Sequence, residues 1–175
     1  MTTLRTTRLS LRRPTADDVD AILAVHSDPR ACAHNPSDAL ATRAEAEDLY
    51  QRWDNHWLRH GFGYWVVGES QETLGFCGVK FMRMPERPVL NLFYRFAPSA
   101  WGRGFASEAA TAVVRWVTAN VSDHPVIARV RPDNVASQRV AVKAGLARAP
   151  HLDREGEDGL DWIYVASSRS TSELT

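Results

Sequence analysis

The sequence predicts a mixed α/β domain with a mostly antiparallel central sheet. Three strand-like segments, 63–68, 74–83 and 88–96, follow one another with turn-forming residues between them, which favours an antiparallel meander. Two helical patterns precede this meander, and helices and strands alternate after it, so the element order is βααβββ followed by αβαββ. We therefore expect an α/β (α+β) fold with about six to seven strands and about four helices.

The N-terminal elements are predicted from residue alternation and from helix-capping residues. Polar and apolar residues alternate over 8–13, which indicates a first strand. Thr15 is followed by acidic residues in a pattern close to a capping box, which predicts a helix start there. In a capping box, side chains at the start of a helix accept hydrogen bonds from its first backbone amides. Thr42 and Glu45 form a clearer capping box, which predicts a second helix over 43–59.

The C-terminal half supplies two further helices and the remaining strands. A pattern over 104–119 has only a narrow polar stripe, so we expect a helix that is largely buried. A short strand over 126–131 leads to a helix that Asn134 caps. Two more strands complete the predicted domain, at 146–152 and 160–166.

The composition indicates one globular domain without a strong charge bias. The length of 175 residues fits a single domain, which we expect to span 1–166, followed by a disordered polar tail over 167–175. Lys plus Arg equals Asp plus Glu, at 21 each, so no nucleic-acid partner is expected. No signal segment and no apolar run of about 20 residues is present, so we expect a cytoplasmic protein without a membrane partner.

No metal site is predicted. Cys32 and Cys77 lack metal-ligand spacing, and reduced thiols are the expected state. His56 and His60 lie four residues apart on one predicted helix face, which suits a metal, but the nearby sequence supplies no further ligand.

A glycine-rich helix entrance is the first candidate binding site. Gly102, Arg103 and Gly104 stand between the strand at 88–96 and the helix at 104–119. The first amides of a helix have no internal partners, and the helix dipole adds partial positive charge there. A phosphate group satisfies both, and glycine lets it approach the backbone. From the spacing alone, the alternative is that the two glycines only allow the chain to turn into the helix and that no ligand binds there.

Two other nucleotide-binding motifs do not fit this segment. The pattern GxxxxGK[ST] of the P-loop is absent from the chain. The dinucleotide fingerprint GxGxxG fails because Ser107 stands at its third glycine. A dinucleotide-binding domain is therefore a disfavoured alternative.

Three segments together resemble one enzyme family. They read LRTTRLSLRRPTADDVDAI, APSAWGRGFASEAATAVVRW and RPDNVASQRVAVKAGL. They are similar to motifs of the GNAT acetyltransferase superfamily, especially its RimJ/RimL-type group, which acetylates protein N-termini and other amines. The resemblance spans about residues 4–166. It implies the GNAT fold and direct transfer of acetyl from acetyl-CoA to a primary amine, either a protein N-terminus or a small amine. It also makes a homodimer an expectation, because dimers are common among such proteins.

The resemblance assigns a cofactor site residue by residue. It implies that backbone amides of one loop bind the pyrophosphate of acetyl-CoA, at Trp101, Gly102, Arg103, Gly104, Phe105 and Ala106. It implies that the preceding strand pairs with the pantetheine arm through its backbone, at Tyr94, Arg95 and Phe96. It places two residues of the later helix beside the lower cofactor arm, Asn134 and Ser137.

The catalytic groups match the family pattern less well. This chain has Asn91 where many relatives carry a carboxylate, and Arg129 where others carry a glutamate. Ala141 replaces the usual general-acid tyrosine. A serine is thought to assist the leaving thiolate in RimJ/RimL-type proteins, which makes Ser137 the candidate catalytic residue. Asn91 is the second candidate because it occupies the usual position of the base.

Three hypotheses account for the missing base. The base is another residue such as His34, or water; the amine arrives unprotonated because burial lowers its pKa; or the domain is an acyl-CoA-binding or sensing module with little turnover. An acidic cluster near the last turn would attract a cationic amine, although a solvated hairpin is the more usual role of such residues. Its members are Asp153, Glu155, Glu157, Asp158 and Asp161.

Overall fold

A computed structural model describes residues 3–121 and 123–167 of the chain. Of the tail predicted to be disordered, residues 168–175 lie outside the described residues. Four α-helices form in the described part: α1 Val19–His26, α2 Arg43–His60, α3 Phe105–Asn120 and α4 Val135–Lys143. Nine strands form there: β1 Leu4–Arg5, β2 Ser10–Arg12, β3 Tyr64–Glu69, β4 Glu72–Arg83, β5 Pro88–Phe96, β6 Val126–Val130, β7 Leu146–Arg148, β8 Arg154–Gly156 and β9 Gly159–Ala166.

The strands build one mixed sheet in the order β1-β2-β3-β4-β5-β6-β9-β7, and β8 pairs with β9 beside this path. Of these pairs, β5 with β6 is parallel, and the others are antiparallel. The predicted α/β architecture with four helices is therefore confirmed. The predicted six to seven strands are too few, since the described residues form nine.

The additional strands are short. β1 has two residues and β8 has three, which is too short for an alternating pattern to stand out in the sequence. The strand predicted over 146–152 ends at Arg148, and a 3-10 helix, Pro150–Leu152, follows it. Proline lacks the amide that a strand ladder needs, which explains the early end.

Helices pack on both faces of the sheet. α3 contributes buried residues such as Val113 and Val117 to a core that also contains Phe105. On the opposite face, Ile22 of α1 and Trp53 of α2 pack in a second core cluster. No helix in the described part of the chain is both long and apolar enough to cross a membrane.

The parallel pair β5–β6 separates soon after it begins. Pairing is limited to Leu90 with Val126 and Asn91 with Ile127. Beyond Asn91, β5 continues beside β4, whereas β6 pairs with β9. A gap therefore opens between the C-terminal halves of two adjacent strands, and this gap positions the candidate site.

Candidate functional site

A cavity of about 460 Å³ lies where β5 and β6 separate. It is lined by residues of β5, of the α3 entrance, of α4, of the loop between α1 and α2, and of the β8–β9 hairpin. Except for Arg103, all of the predicted cofactor residues line this cavity, and so does Asn91. The fold therefore brings the sequence-predicted residues together around one space, while their binding of a cofactor stays a prediction.

The α3 entrance has the backbone conformation that glycine favours. Gly102 and Gly104 both have φ of 77°, in the left-handed region that side chains disfavour. A Cβ atom at Gly104 would meet only Arg8 Nη2, at 3.5 Å, so backbone conformation and not crowding requires this glycine. The first backbone bond of the helix runs from Glu108 N to Gly104 O, at 3.1 Å. Among the described residues, no acceptor pairs with the amides of 102–107.

A network from the N-terminal segment supports this loop. Glu108 Oε1 accepts hydrogen bonds from Thr6 Oγ1 at 2.5 Å and from Arg8 N at 3.0 Å, and its Oε2 accepts from Arg8 Nε at 2.7 Å. Arg8 Nη1 in turn donates to Arg103 O at 2.8 Å. Although burial raises the pKa of Glu108, the hydrogen bonds from Thr6 and Arg8 bring it below its usual value. Arg8 thus links the segment between β1 and β2 to the loop and to α3, a role that sequence analysis missed.

The open edge of β5 presents alternate backbone groups to the gap. Leu90 N donates to Pro125 O at 2.9 Å, on the β6 side of the strand. Because successive residues direct their backbone groups to opposite sides, the backbone of Leu92 and Tyr94 faces the same side. β6 has diverged there, so these groups lie along the cavity.

The backbone carbonyl groups of Arg95 and Phe96 have neighbours within the protein. The carbonyl of Arg95 is directed toward β4, close to Gly75, and its guanidinium donates to Asp38 Oδ2 at 2.9 Å. The carbonyl of Phe96 accepts a hydrogen bond from Trp101 Nε1 at 3.0 Å. The backbone of Tyr94 therefore faces the cavity, whereas the carbonyl groups of Arg95 and Phe96 have other neighbours; pairing of this segment with the pantetheine arm stays a prediction.

A hydroxyl pair lies between β5 and α4. Tyr94 Oη is 2.8 Å from Ser137 Oγ and donates to Ser137 O at 2.8 Å. Asn134 Oδ1 accepts from Ser137 N at 3.1 Å, which confirms Asn134 as the N-cap of α4. Burial raises the pKa of Tyr94, so its hydroxyl stays protonated at neutral pH. Sequence analysis named all three residues but missed the contact of the Tyr94 hydroxyl.

A loop covers the other end of the cavity. Asp158 of the β8–β9 hairpin accepts hydrogen bonds from Ser37 Oγ at 2.5 Å and from Ser37 N at 3.0 Å. The hydrogen bond from Ser37 holds the pKa of Asp158 below its usual value. His34 Nδ1 lies 3.3 Å from Asp133 Oδ1, so the hypothetical base His34 is at the rim of the cavity. The cavity thus has a helix-entrance end and a loop-covered end.

Charged and polar side chains share the sheet face at the loop-covered end. Asn91 has a buried side-chain oxygen that accepts no hydrogen bond from the described residues. Arg129 Nη1 lies 3.2 Å from Glu157 Oε2 and 3.6 Å from Asp161 Oδ2. The side chain of Asp161 is 7% exposed, unlike that of Glu157 at 71%. The predicted acidic cluster therefore contains one buried member.

The two histidines considered for a metal make other contacts. His56 Nδ1 donates to Phe62 O at 2.8 Å, and its Nε2 accepts from Phe81 N at 3.2 Å. Both ring nitrogens of His56 are thus bonded to backbone. In residues 3–121 and 123–167, no group of three or more potential metal ligands comes together.

Comparison with known proteins places this geometry in a family. The family model "Acetyltransferase (GNAT) domain" matches residues 8–147. The chain is 27% identical over 139 residues to the uncharacterized N-acetyltransferase p20 of Bacillus licheniformis, covering 78% of each protein. Its fold is similar to that of an acetyltransferase from Agrobacterium tumefaciens, with a TM-score of 0.79, 25% identity and coverage of 96% and 95% of the two chains. The RimL ribosomal L7/L12 alpha-N-protein acetyltransferase in complex with coenzyme A shares the fold, with a TM-score of 0.77, 17% identity and coverage of 95% and 98%. The chain belongs to the GNAT family of acetyltransferases.

Proposed function

We propose that this protein transfers acetyl from acetyl-CoA directly to a primary amine, either a protein N-terminus or a small amine. One observation carries the proposal: the unpaired amides of the α3 entrance, the open edge of β5 and the hydroxyl pair of Tyr94 and Ser137 line one cavity. The coenzyme A complex of the similarly folded RimL protein supports the choice of donor. The RimJ/RimL-type motifs support an amine acceptor.

The cofactor end suits a diphosphate followed by a thioester arm. Amides at a helix N-terminus bind phosphate because their hydrogens lack partners and the helix dipole favours negative charge. The pyrophosphate would bind the amides of 102–106, and the pantetheine arm would follow the backbone edge at Leu92 and Tyr94. This path brings the thioester to the point where β5 and β6 separate.

The chemistry needs a free amine, a polarised carbonyl and a proton for sulfur. The amine nitrogen attacks the thioester carbon, and backbone amides of the β5 edge stabilise the resulting oxyanion. When the C–S bond breaks, Ser137, held in place by its contact with Tyr94, supplies a proton to the thiolate and takes in its place the proton that the attacking nitrogen loses. Holding the two reactants in one cavity supplies much of the remaining acceleration.

A second candidate is an acyl-CoA-binding or sensing module with little turnover. It is favoured by Asn91, Arg129 and Ala141, because none of these side chains replaces the base or the acid expected at its position. A serine donor and a carboxylate elsewhere in the cavity would make up for both losses, so we favour the enzyme.

Two measurements test the proposed function. We expect calorimetric titration to show binding of acetyl-CoA and none of NAD, because the phosphate site lacks the dinucleotide fingerprint. We expect thiol release in the presence of some member of an amine panel of N-terminal peptides, polyamines, amino acids and aminoglycosides. Binding of acetyl-CoA without thiol release would support the sensing module, and absence of binding would contradict both candidates.

Replacing Ser137 by Ala should lower kcat at least about tenfold, because proton transfer by a positioned group contributes about a hundredfold or more. The cap of α4 uses Ser137 N and not its hydroxyl, so we expect the helix to remain. Steady-state kinetics and calorimetry would compare it with Ser27→Ala, which removes an exposed hydroxyl at the end of α1. An unchanged kcat in Ser137→Ala would remove this residue from the mechanism.

A further inference from the structure

Asp161 differs from the other acids of the β8–β9 hairpin in being buried. Its side chain is 7% exposed and lines the cavity. In the described residues, no group donates a hydrogen bond to its carboxylate; the nearest cations are Arg129 Nη1 at 3.6 Å and Arg131 Nη1 at 3.9 Å. A buried carboxylate normally has its oxygens occupied by donors, so this one retains acceptor capacity toward the cavity.

Asp161 lies on the same face of the sheet as Asn91 and Arg129. Arg129 pairs with Ile163 across β6 and β9, and Asp161 stands two residues before Ile163, on the same face. Asn91 pairs with Ile127, two residues before Arg129, and so shares this face as well. A carboxylate from β9 therefore lies on the same sheet face as Asn91, the position at which the resemblance expects a carboxylate.

The hairpin is shaped to hold this carboxylate. A Cβ atom at Gly156 of β8 would lie 2.3 Å from Asp161 Oδ2, closer than such atoms approach. The glycine therefore leaves the space that the carboxylate occupies. The position of Asp161 depends on this one neighbour, which offers a second way to disturb it.

The charged groups around Asp161 have opposing effects on the pKa of its carboxyl group. Arg129 and Arg131 favour the ionised form, whereas Glu157 and Asp158 of the turn disfavour it. Arg154 is its register partner on β8. Burial is the largest influence, and it raises the pKa of Asp161 above the usual value. A carboxylate with a raised pKa is a stronger base than an exposed aspartate, which suits a proton acceptor.

We propose that Asp161 accepts a proton from the ammonium group of the acceptor. This inference rests on the proposed function. The N–H bond of the ammonium breaks, its proton passes to an Asp161 oxygen, and the freed electron pair of nitrogen attacks the thioester carbon. The nitrogen loses two protons in forming the amide: one leaves through Asp161 to water, and the other ends on the sulfur of CoA.

The test compares the pH profile of kcat/KM for the wild type and Asp161→Asn, with the best amine of the panel. We expect the variant to lose about a hundredfold at pH 7. The deficit should shrink as the pH rises toward the pKa of the amine, because free amine then needs no base. Acetyl-CoA affinity should stay within about twofold, since Asp161 lies at the other end of the cavity.

Two further variants complete the experiment. Glu155→Gln removes the same charge from an exposed position of the same hairpin, and we expect it to behave as wild type. Gly156→Ala displaces the carboxylate without removing it, and we expect it to lower kcat/KM at least fivefold at pH 7. If Asp161→Asn does not fold, the activity of Gly156→Ala tests the role of Asp161 instead.

The outcomes separate this inference from the proposed function. Absence of amine acetylation by the wild type would overturn both. Transfer by the wild type with a kcat/KM in Asp161→Asn within twofold of it, or reduced equally at every pH, would overturn the role of Asp161 alone. If Asp161→Asn does not fold, unchanged activity in folded Gly156→Ala would overturn it.

Discussion

Replacing Gly104 by Val is expected to weaken acetyl-CoA binding at least about a hundredfold while the protein stays folded. Valine is poorly tolerated at φ of 77°, so the loop will move to relieve the strain. The unpaired amides of the α3 entrance move with it. Losing one or two charge-assisted hydrogen bonds, each worth about 1.5–3 kcal/mol, accounts for this factor. Calorimetric titration with acetyl-CoA measures the change directly.

The chain contains a closely matched control for this substitution. Gly61, which ends α2, has φ of 75° and ψ of 8°, against 77° and 9° for Gly104. A Cβ atom at Gly61 would meet no neighbour within 4 Å, whereas one at Gly104 would meet only the flexible end of Arg8, and Gly61 lies away from the cavity. Gly61→Val should therefore lose similar stability, about 1–2 kcal/mol, and keep its affinity. Equal affinity in the two variants would show that the α3 entrance does not bind the phosphates.

Features set by neighbouring residues could be predicted from the sequence. The capping box of Thr42 and Glu45 forms with Glu45 N donating to Thr42 Oγ1 at 3.2 Å, and α2 begins where predicted. The helix start after Gly104 is likewise within one residue of its predicted place. Capping and glycine signals act over three or four residues, so a single sequence contains all the information they need.

Features that join distant segments could not be predicted. Arg8 and Glu108 are 100 residues apart, and Tyr94 is 43 residues from Ser137. No periodicity relates such pairs, because the fold alone brings them together. Asp161 illustrates the same limit, since its sequence neighbourhood is as acidic as that of the exposed members of its cluster. Its burial follows from packing against other strands and from the space at Gly156.

The second large effect concerns stability at mildly acidic pH. Burial, and then the charge of Arg95, lower the pKa of His26 from 6.5 to about 4, although its hydrogen bond to Ile22 O and the charge of Asp38 act in the other direction. The unfolded chain therefore binds a proton between pH 6.5 and about 4 that the folded chain does not. Stability falls as the pH falls through this window, by about 3 kcal/mol from His26 alone.

The variant His26→Phe isolates this contribution. Phenylalanine keeps a ring against Trp53 and Phe76 but has no nitrogen to protonate. Burial also lowers the pKa of His56 to about 4 and lowers that of His60, and both histidines remain in the variant. We therefore expect the free energy of unfolding to fall in both proteins as the pH falls, with a slope that is smaller in the variant by up to one proton. Denaturant titrations at pH 7, 6, 5 and 4.5 measure both slopes above most carboxylate transitions.

His151→Gln removes an exposed imidazole and should keep the wild-type slope. An unchanged slope in His26→Phe would mean that the folded protein accommodates a charged His26. The packing of α1 and α2 against β4 and β5 would then be more open to water than its burial indicates.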